Sequence, residues 1–291
     1  MIRFITKKDI KLPARSKDSH KGDNGLILAI GGSKEYAGAI TLAGLAALRS
    51  GCDLVKIIAP EKVAWTVNAY SPDLMTLKLK GDYFNLNHFN IIKKEIERLD
   101  VLLIGNGIGL KEESKLFCKK VIKKIKKIKV IDADAIKSAS MDDCENSIIT
   151  PHSKELEYFL INSKINKEII KKINNEKNII KKSNLIKNTA QKFLDKNNII
   201  ILKGKIDAVI SRDKILYNKT GNAGMTRGGT GDVLAGLCAG FLAQSKNFLQ
   251  SSINAAYFNG LIGDILLKKK KGFSYLASDM VGEIKRLRDY S

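Results

Sequence analysis

The sequence predicts an α/β protein whose central sheet is mostly parallel and is covered by helices on both faces. Short, continuous apolar runs such as Leu26–Ile30 and Val101–Ile104 alternate with longer segments of helical periodicity. Strands and helices that alternate in this way form right-handed crossovers, which place a parallel sheet between two layers of helices. The chain has 291 residues and no linker-like segment, so we expect a single domain over residues 1–291.

The first half of the chain supplies five of the predicted strands. They are expected at Leu26–Ile30, Leu54–Ile58, Leu74–Leu79, Val101–Ile104 and Lys129–Asp132. The helices between them are expected at Tyr36–Arg49, Lys62–Ala69 and Leu86–Leu99, with a fourth helix between the glycine turn that ends at Gly109 and Ile128. The first of these helices is rich in Ala and Gly, which favours close packing on a sheet.

The second half continues the alternation and then changes it. Further strands are predicted at Ser147–Thr150 and Asn198–Leu202, followed by an antiparallel hairpin of Ala208–Ser211 and Ile215–Tyr217. Thr150 is expected as the N-cap of a helix that begins at Pro151. Helices with a solvated, lysine-rich face are expected within Ile161–Lys192, and three more close the chain at Asp232–Gln244, Leu249–Lys268 and Ser278–Tyr290.

Composition argues against several function classes. The formal net charge is +21, but its lysines alternate with isoleucine and lack the aromatic platforms typical of nucleic-acid binding. Four isolated cysteines and three histidines form no CxxC and no regular spacing, which indicates reduced thiols and argues against a zinc cluster. Without a secretory signal pattern or a membrane-length apolar run, we expect a soluble, cytoplasmic protein that binds neither nucleic acid nor membrane.

The segment from Tyr217 to Asp232 is the strongest candidate for a chemical site. Five glycines lie from Gly221 to Gly231, and glycine lets backbone N–H groups approach a ligand closely. Asp232 then opens an apolar helix, whose first N–H groups and positive dipole end favour an anion such as a phosphate. A glycine-rich surface turn capped by Asp is the alternative. No Gly-Lys-Ser/Thr follows, so the loop is not a Walker A motif.

Other polar residues are expected at the same edge of the sheet, because they follow predicted strands. Asp132 and Asp134 are either helix caps or part of a magnesium shell. Lys203 either extends to solvent or contacts a nucleotide phosphate, and His152 is by default a capping or surface residue. A phosphate loop, a carboxylate at a helix start and further acids together predict phosphoryl transfer, with Asp232 deprotonating an attacking hydroxyl.

Several motifs in register resemble one enzyme family. They are Lys21–Gly25, Gly31–Ser33 with Tyr36–Ala39, Leu48–Gly51, Asp132–Ala135, Thr150–Glu155, Leu202–Gly204, Gly221–Met225 and Gly228–Asp232. In this order they resemble the ADP/ATP-dependent NAD(P)H-hydrate dehydratases, which are ribokinase-like enzymes of nicotinamide repair. The resemblance covers nearly the whole chain and implies a ribokinase-like three-layer sandwich.

The resemblance also implies an activity. Such an enzyme restores NADH or NADPH from the (S)-hydrate, using ADP or ATP as co-substrate with Mg²⁺ to phosphorylate the added hydroxyl before phosphate is eliminated. It further implies a homo-oligomer such as a tetramer, and a separate NAD(P)H-hydrate epimerase in the same pathway. The alternatives are a kinase of the same fold that acts on a vitamin precursor, and a nucleotide-sensing or nucleic-acid-binding protein without turnover.

Site residues follow from the resemblance position by position. Asp232 would be the base at the hydrate hydroxyl, and Gly231 would lie against the nucleotide. The segment that contacts the nucleotide phosphates would comprise Lys203, Gly204, Lys205, Ile206 and Asp207. The residues that contact the NAD(P)H hydrate would be Ala39, Gly107, Gly109 and His152, beside Asp232. Glu155 would hold magnesium through water.

The chain departs from the family pattern at a few positions. Ala223 and Asn106 each stand where the family commonly has proline, and Ser153 with Lys154 replaces a usual Pro-Gly pair. These changes make their loops less rigid without removing a reactive group. Arg227 adds a charge beside the glycine loop, where it is expected to contact a phosphate.

Overall fold

A nine-stranded sheet runs through the protein, for which the computed structural model describes residues 2–289 apart from the side chain of Arg288. Its strands are β1 (Leu26–Ile30), β2 (Leu54–Pro60), β3 (Met75–Leu79), β4 (Val101–Ile104), β5 (Ile128–Ile131), β6 (Ser147–Ile149), β7 (Ile199–Leu202), β8 (Asp207–Ile210) and β9 (Ile215–Asn218). Their order across the sheet is β3-β2-β1-β4-β5-β6-β7-β8-β9. The strands from β3 across to β7 pair in parallel, and β8 and β9 pair antiparallel.

Twelve α-helices connect or follow the strands within the described residues. They are α1 (Gly38–Arg49), α2 (Glu61–Tyr70), α3 (Phe89–Ile96), α4 (Glu112–Lys124), α5 (Ala133–Ser138), α6 (Ser153–Asn162), α7 (Lys167–Asn175), α8 (Ile179–Thr189), α9 (Gln191–Leu194), α10 (Thr230–Ser245), α11 (Phe248–Lys269) and α12 (Ala277–Glu283). Short 3₁₀ turns lie at Lys7–Asp9, Leu86–His88, Met141–Asp143, Ala223–Thr226 and Ile284–Asp289.

Two hydrophobic cores lie on opposite faces of the sheet. Because side chains alternate along a strand, Ile27 of β1 belongs to one core and Leu28 to the other. The first core contains Phe241 of α10, and the second contains Phe117 of α4. All four side chains are at most 1% exposed, and burial of each stabilises the fold by roughly 1.5–3 kcal/mol. The predicted mostly parallel sheet with helices on both faces is confirmed.

Several local predictions were wrong. Thr150 is not a helix N-cap, because α6 begins at Ser153 and His152 caps it through its side chain. Asp232 does not open α10, which begins at Thr230 after Gly229. The short helix α5 was not predicted, since six residues are too few to show helical periodicity.

The predicted helix boundaries also differ at two places. Within Leu86–Leu99 the first turn is 3₁₀ and the α-helix is shorter than expected. The predicted last helix begins as α12 and then tightens into a 3₁₀ turn, whereas its expected end at Tyr290 lies outside the described residues. Across residues 2–289, none of the helices combines the length and the apolar character that crossing a bilayer requires.

Candidate functional site

Polar side chains from four strand ends meet at one edge of the sheet. Asn106 follows β4, Asp132 follows β5 and Lys203 follows β7, while Thr150 directly follows β6. Asp232 reaches them from the first turn of α10. Because the carboxyl ends of parallel strands share one edge, residues as far apart in sequence as Asp132 and Lys203 come into hydrogen-bonding contact.

The start of α10 depends on a glycine. Gly229 occupies the N-cap position with φ of 95°, a left-handed conformation that L side chains rarely adopt. A Cβ at this position would lie 2.7 Å from Cβ of Ala277 and 2.8 Å from Cδ1 of Leu42. The turn therefore needs glycine, and it ends where the first backbone N–H groups of α10 have no partner within the helix.

The glycine loop before α10 is held in place by side chains from α11 and the segment that follows it. Asp264 accepts hydrogen bonds from the backbone N–H of Gly221 at 2.9 Å and from Nδ2 of Asn222 at 3.0 Å. The Tyr275 hydroxyl donates to Oδ1 of Asn222 at 2.7 Å. At the end of the loop, the Thr230 hydroxyl donates to the carbonyl of Met225 at 2.7 Å. The loop thus has a defined conformation.

Asp232 lies beside a second, more deeply buried carboxylate. The amide Nδ2 of Asn106 donates to Oδ1 of Asp232 at 2.7 Å and to Oδ2 of Asp132 at 3.0 Å. The other oxygen of Asp132 accepts from the Thr150 hydroxyl at 2.6 Å and from Nζ of Lys203 at 3.1 Å. All oxygens of Asp132 are therefore engaged, whereas Asp232 keeps one oxygen for a ligand.

Lys203 connects Asp132 to the start of α6. Its Nζ lies 3.1 Å from Oδ1 of Asp132 and 3.4 Å from Oε2 of Glu155, and the two carboxylates are 2% and 6% exposed. The backbone N–H of His152 donates to Oε2 of Glu155 at 2.9 Å, and Nδ1 of His152 accepts from the N–H groups of residues 154 and 155. These bonds fix Glu155 beside the lysine.

Burial and charge shift the proton affinities at the site. Burial, reinforced by the nearby charge of Asp132, raises the pKa of Asp232 to about 6. Burial by itself would lower the pKa of Lys203, but Asp132 and Glu155 outweigh it, so this pKa is raised and the lysine stays charged. The pKa of His152 is lowered, chiefly by burial, despite the carboxylate of Glu155.

The predicted nucleotide segment forms the turn between β7 and β8. Gly204 donates its N–H to Oδ1 of Asp207 at 3.0 Å, and burial raises the pKa of that carboxyl to about 6. A Cβ on Gly231 would lie 3.4 Å from Nζ of Lys203, so the first turn of α10 faces this lysine. Lys205 is exposed and Ile206 is partly exposed in the turn, and neither side chain joins the hydrogen-bonded group around Lys203.

Apart from His152 and Asp232, the residues predicted to contact the hydrate lie at the start of α1 and in the loop after β4. A Cβ on Gly107, whose φ is 72°, would lie 3.2 Å from Cβ of Ala39 at the start of α1. Gly109 donates its N–H to Oδ2 of Asp134 at 2.9 Å, and Asp134 also pairs with Lys137. Ala39, Gly107 and Gly109 thus lie on the side of Asn106, whereas His152 lies beside Glu155 on the side of Lys203.

A protein-built magnesium cage does not fit these side chains. Among the described residues, no three His, Cys, Asp or Glu side chains lie together in a way that could hold a metal ion. The oxygens of Asp132 already face Thr150, Lys203 and Asn106. Magnesium usually keeps several waters and needs only one or two protein carboxylates beside substrate phosphates. The donor set fits magnesium that arrives bound to a nucleotide.

Sequence reasoning missed two residues of the site. Thr150 was expected to cap a helix, yet its hydroxyl holds Asp132. Asn106 was noted only as a departure from proline, yet its amide joins the two aspartates. A polar residue within two positions of a strand end, as at Asn106 and Thr150, was the available signal, because the carboxyl ends of parallel strands meet at one edge.

Comparison with known proteins finds a family model and curated relatives that match most of the chain. The family model described as NAD(P)H-hydrate dehydratase matches residues 27–286. The chain is 40% identical over 280 residues to the bifunctional NAD(P)H-hydrate repair enzyme Nnr of Methanocaldococcus jannaschii, covering 95% of this chain and 50% of that protein. It is 33% identical over 268 residues to the ADP-dependent (S)-NAD(P)H-hydrate dehydratase of Cenarchaeum symbiosum, covering 90% of this chain and 88% of that protein.

A solved structure supports the fold assignment. The crystal structure of a ribokinase-like superfamily protein from Enterococcus faecalis matches with a TM-score of 0.81 and 25% sequence identity, over 100% of this chain and 96% of that chain. The predicted ribokinase-like architecture is confirmed. The chain spans about half the length of the M. jannaschii relative and most of the length of the C. symbiosum relative.

Proposed function

Because this chain belongs to the NAD(P)H-hydrate dehydratase family, we propose that it dehydrates the (S)-hydrate of NADH or NADPH, with ADP or ATP as the phosphoryl donor. One observation carries the proposal most directly. Asp232 lies in the first turn of α10 with one carboxylate oxygen bonded to Asn106, beside a charged lysine. A carboxylate and a helix N-terminus together can accept a hydroxyl proton and stabilise a phosphate.

The first chemical step is phosphoryl transfer to the added hydroxyl of the hydrate. Asp232 takes the hydroxyl proton while the oxygen bonds to the terminal phosphorus of the nucleotide, and the bond to the bridging oxygen breaks. The leaving nucleotide is ADP when ATP is the donor, and AMP when ADP is. Lys203 and the N-terminus of α10 stabilise the charge on the transferred group, in a reaction where positioning and electrostatics supply most of the catalysis.

The second step is elimination. The carbon–oxygen bond to the new phosphate breaks, a proton passes from the neighbouring carbon to water, and the ring double bond of the reduced nicotinamide forms. Phosphate leaves far more readily than hydroxide, which is the reason to spend a nucleotide. Magnesium bound to the nucleotide would neutralise phosphate charge, and Glu155 beside Lys203 is the carboxylate we assign to its water shell.

The test is recovery of the reduced nicotinamide absorbance when hydrated NADH or NADPH is incubated with the protein, magnesium and ADP or ATP. Asp232→Asn should lower kcat by roughly 10²–10⁴, the usual contribution of a general base, while nucleotide still binds. Since the pKa of Asp232 is raised to about 6 and only its deprotonated form accepts a proton, activity should increase as the pH rises through about 6.

Two outcomes would contradict the proposal. A stable phosphorylated product without recovery of the absorbance would indicate a kinase of the same fold. Nucleotide binding with no turnover of any substrate would indicate a binding protein instead. Retention of full activity by Asp232→Asn would remove Asp232 from its assigned role.

The cellular setting follows from the same proposal. We assign the protein to the cytoplasm, a reducing compartment that suits its four free, buried cysteines. We further assign it to a homo-oligomer such as a tetramer, which sedimentation would test. The (R)-hydrate becomes a substrate only after its configuration is inverted, so a separate epimerase is the expected partner in the pathway.

A further inference from the structure

The backbone of Asn106 is fixed by close contacts with the loop after β1. Its carbonyl accepts a hydrogen bond from the N–H of Gly32 at 2.8 Å, and a Cβ on Gly31 would come within 2.4 Å of the same oxygen. The residue is 0% exposed. The loop after β4 and the loop after β1 therefore pack backbone to backbone, and the Asn106 side chain extends from a rigid platform.

The orientation of this amide is set by the two carboxylates. Nδ2 carries two N–H donors, and one bonds to Asp232 while the other bonds to Asp132. Oδ1 of Asn106 is buried and has no hydrogen-bond partner among the described residues. A buried acceptor without a partner destabilises a fold. The side chain tolerates this defect because turning the amide over would place its oxygen against two carboxylates.

We propose that Asn106 is a positioning residue. Its Nδ2 fixes the Asp232 carboxylate by donating to Oδ1 of Asp232, and this leaves Oδ2 of Asp232 as the atom that accepts the substrate proton. The proposal rests on the function assigned above for its substrate. Asn106 itself touches no reacting atom, because its two donors are both occupied by the aspartates. In the described chain Oδ2 of Asp232 receives no hydrogen bond from the protein.

The Asn106 amide bridges Asp232 and Asp132, and this bridge also affects the pKa of Asp232. The charged groups that act on Asp232 from the surrounding elements are Asp132 after β5, Asp134 on α5 and Lys203 after β7. Asp132 and Asp134 raise its pKa together with burial, whereas Lys203 and the Asn106 hydrogen bond lower it. A neutral double donor between two carboxylates thus lowers the pKa of Asp232 without adding a further charge to the site.

The experiment compares Asn106→Ala with Asn106→Asp in the full-length protein. Loss of the hydrogen bond in Asn106→Ala should lower kcat roughly 10- to 100-fold at neutral pH. The KM for nucleotide should change less than about threefold, because both donors of Asn106 are bonded to the aspartates and neither is free to contact the nucleotide. The midpoint of the acidic limb of the kcat profile should move upward by about one pH unit.

Asn106→Asp separates positioning from simple space filling. It keeps the shape of the side chain but replaces both donors by a third carboxylate, so it should be slower than Asn106→Ala at neutral pH. A space-filling role predicts the opposite order. Thermal unfolding of both variants identifies the temperatures at which they are folded, and kcat is compared there. If Asn106→Asp does not fold, Asn106→Ala is sufficient for the test.

Asn24→Ala is the matched control. Asn24 is also a buried asparagine whose amide contacts a carboxylate, that of Asp53, with Nδ2 at 3.3 Å from each oxygen. It precedes β1 at the opposite end of that strand, so its loss should leave kcat and the pH midpoint unchanged. Wild-type kcat and wild-type midpoint in Asn106→Ala would overturn the proposal.

Failure of the assigned reaction can be told apart from failure of this proposal. If the wild-type protein restores no reduced nicotinamide, the function is wrong. The bridge is still measured by carboxyl carbon NMR, in which the Asp232 resonance is the one missing from Asp232→Asn. An upward shift of its titration midpoint in Asn106→Ala supports the bridge, and an unchanged midpoint overturns it.

Discussion

At the scale of single residues, His152 shows why local sequence signals misled the assignment of the α6 start. Threonine is favoured as a helix N-cap and proline at the first helical position, so Thr150 and Pro151 together are a typical signal for a helix start. The hydroxyl of Thr150 instead bonds to Asp132 on the neighbouring strand end. His152 then takes the cap with Nδ1, and Glu155 returns a bond to its backbone N–H. The hydrogen bond to Asp132 at the site therefore overrides the local preference of Thr150 for a helix N-cap.

Arg227 offers a residue-scale prediction about nucleotide affinity. It is exposed in the glycine loop, three residues before α10 begins. Arg227→Ala should raise the KM for nucleotide roughly tenfold, the value of one charge-assisted hydrogen bond to a phosphate, and leave kcat nearly unchanged. The control is Arg212→Ala, since Arg212 pairs with Asp195 at the far end of the β8–β9 hairpin. An unchanged KM would refute the contact.

The individual residues of the site were predicted unevenly for a physical reason. Asp232, Lys203 and Glu155 lie in recognisable sequence contexts, such as a glycine loop, a strand end and a helix start. Asn106 gains its role only from Asp232, which is 126 positions away in the chain. No local pattern contains that information, because it depends on where α10 packs against the edge of the sheet.

At the scale of elements, the contact between α1 and α10 depends on missing side chains. A Cβ on Gly236 would lie 2.2 Å from the carbonyl oxygen of Ala43 and 2.7 Å from Cβ of Ala46. One turn later, a Cβ on Gly240 would lie 1.8 Å from Oγ of Ser50. These glycines let the two helix backbones approach closely, which fixes the height at which α10 presents Asp232 to the sheet edge.

Gly236→Ala tests this contact. The added methyl group should force the helices apart and lower the free energy of unfolding by roughly 1–3 kcal/mol, as overpacking of a core does. Chemical denaturation measures the change. Gly282→Ala on α12 is the control with opposite sign, because a Cβ there meets nothing within 4 Å and alanine is the better helix former. Equal stability of Gly236→Ala and the wild type would show that the contact can relax.

The elements themselves were largely predictable from the sequence. Strands such as β1 and β4 are continuous apolar runs, which is how a strand buried on both faces appears. Short elements escaped, because α5 has six residues and the first turn before α3 is 3₁₀. Helix ends were also imprecise, since a tertiary partner can occupy a candidate cap, as Asp132 does with the hydroxyl of Thr150.

At the scale of the whole molecule, the charges on the surface differ from those at the site. Exposed lysines, many of them on helices, supply most of the positive charge behind the net charge of +21, whereas the site itself pairs its lysine with buried carboxylates. The surface charge therefore acts at a distance and the site charge acts by contact. A field of this sign attracts anionic nucleotides and dinucleotides before any specific bond forms.

Ionic strength tests the effect of this field. The association rate constant for nucleotide should fall several-fold when the salt concentration rises from about 0.01 M to about 0.3 M, because screening shortens the range of the surface charge. Stopped-flow measurement of binding gives the rate directly. The dissociation rate constant should change less, since the site charges are buried. An association rate that is insensitive to salt would contradict the prediction.

The contact between Asn106 and Asp232 also has a consequence for the order in which the site is synthesised. A ribosome adds residues from the N-terminus, so the strands β1 to β7, with Asn106, Asp132 and Lys203 after their ends, leave it before α10 does. Until residue 232 has emerged, the growing chain lacks the carboxylate that we assign as the general base. Under the proposed function, the proton acceptor is therefore the last of these residues to be synthesised, and a chain that ends before it cannot use Asp232 to consume nucleotide.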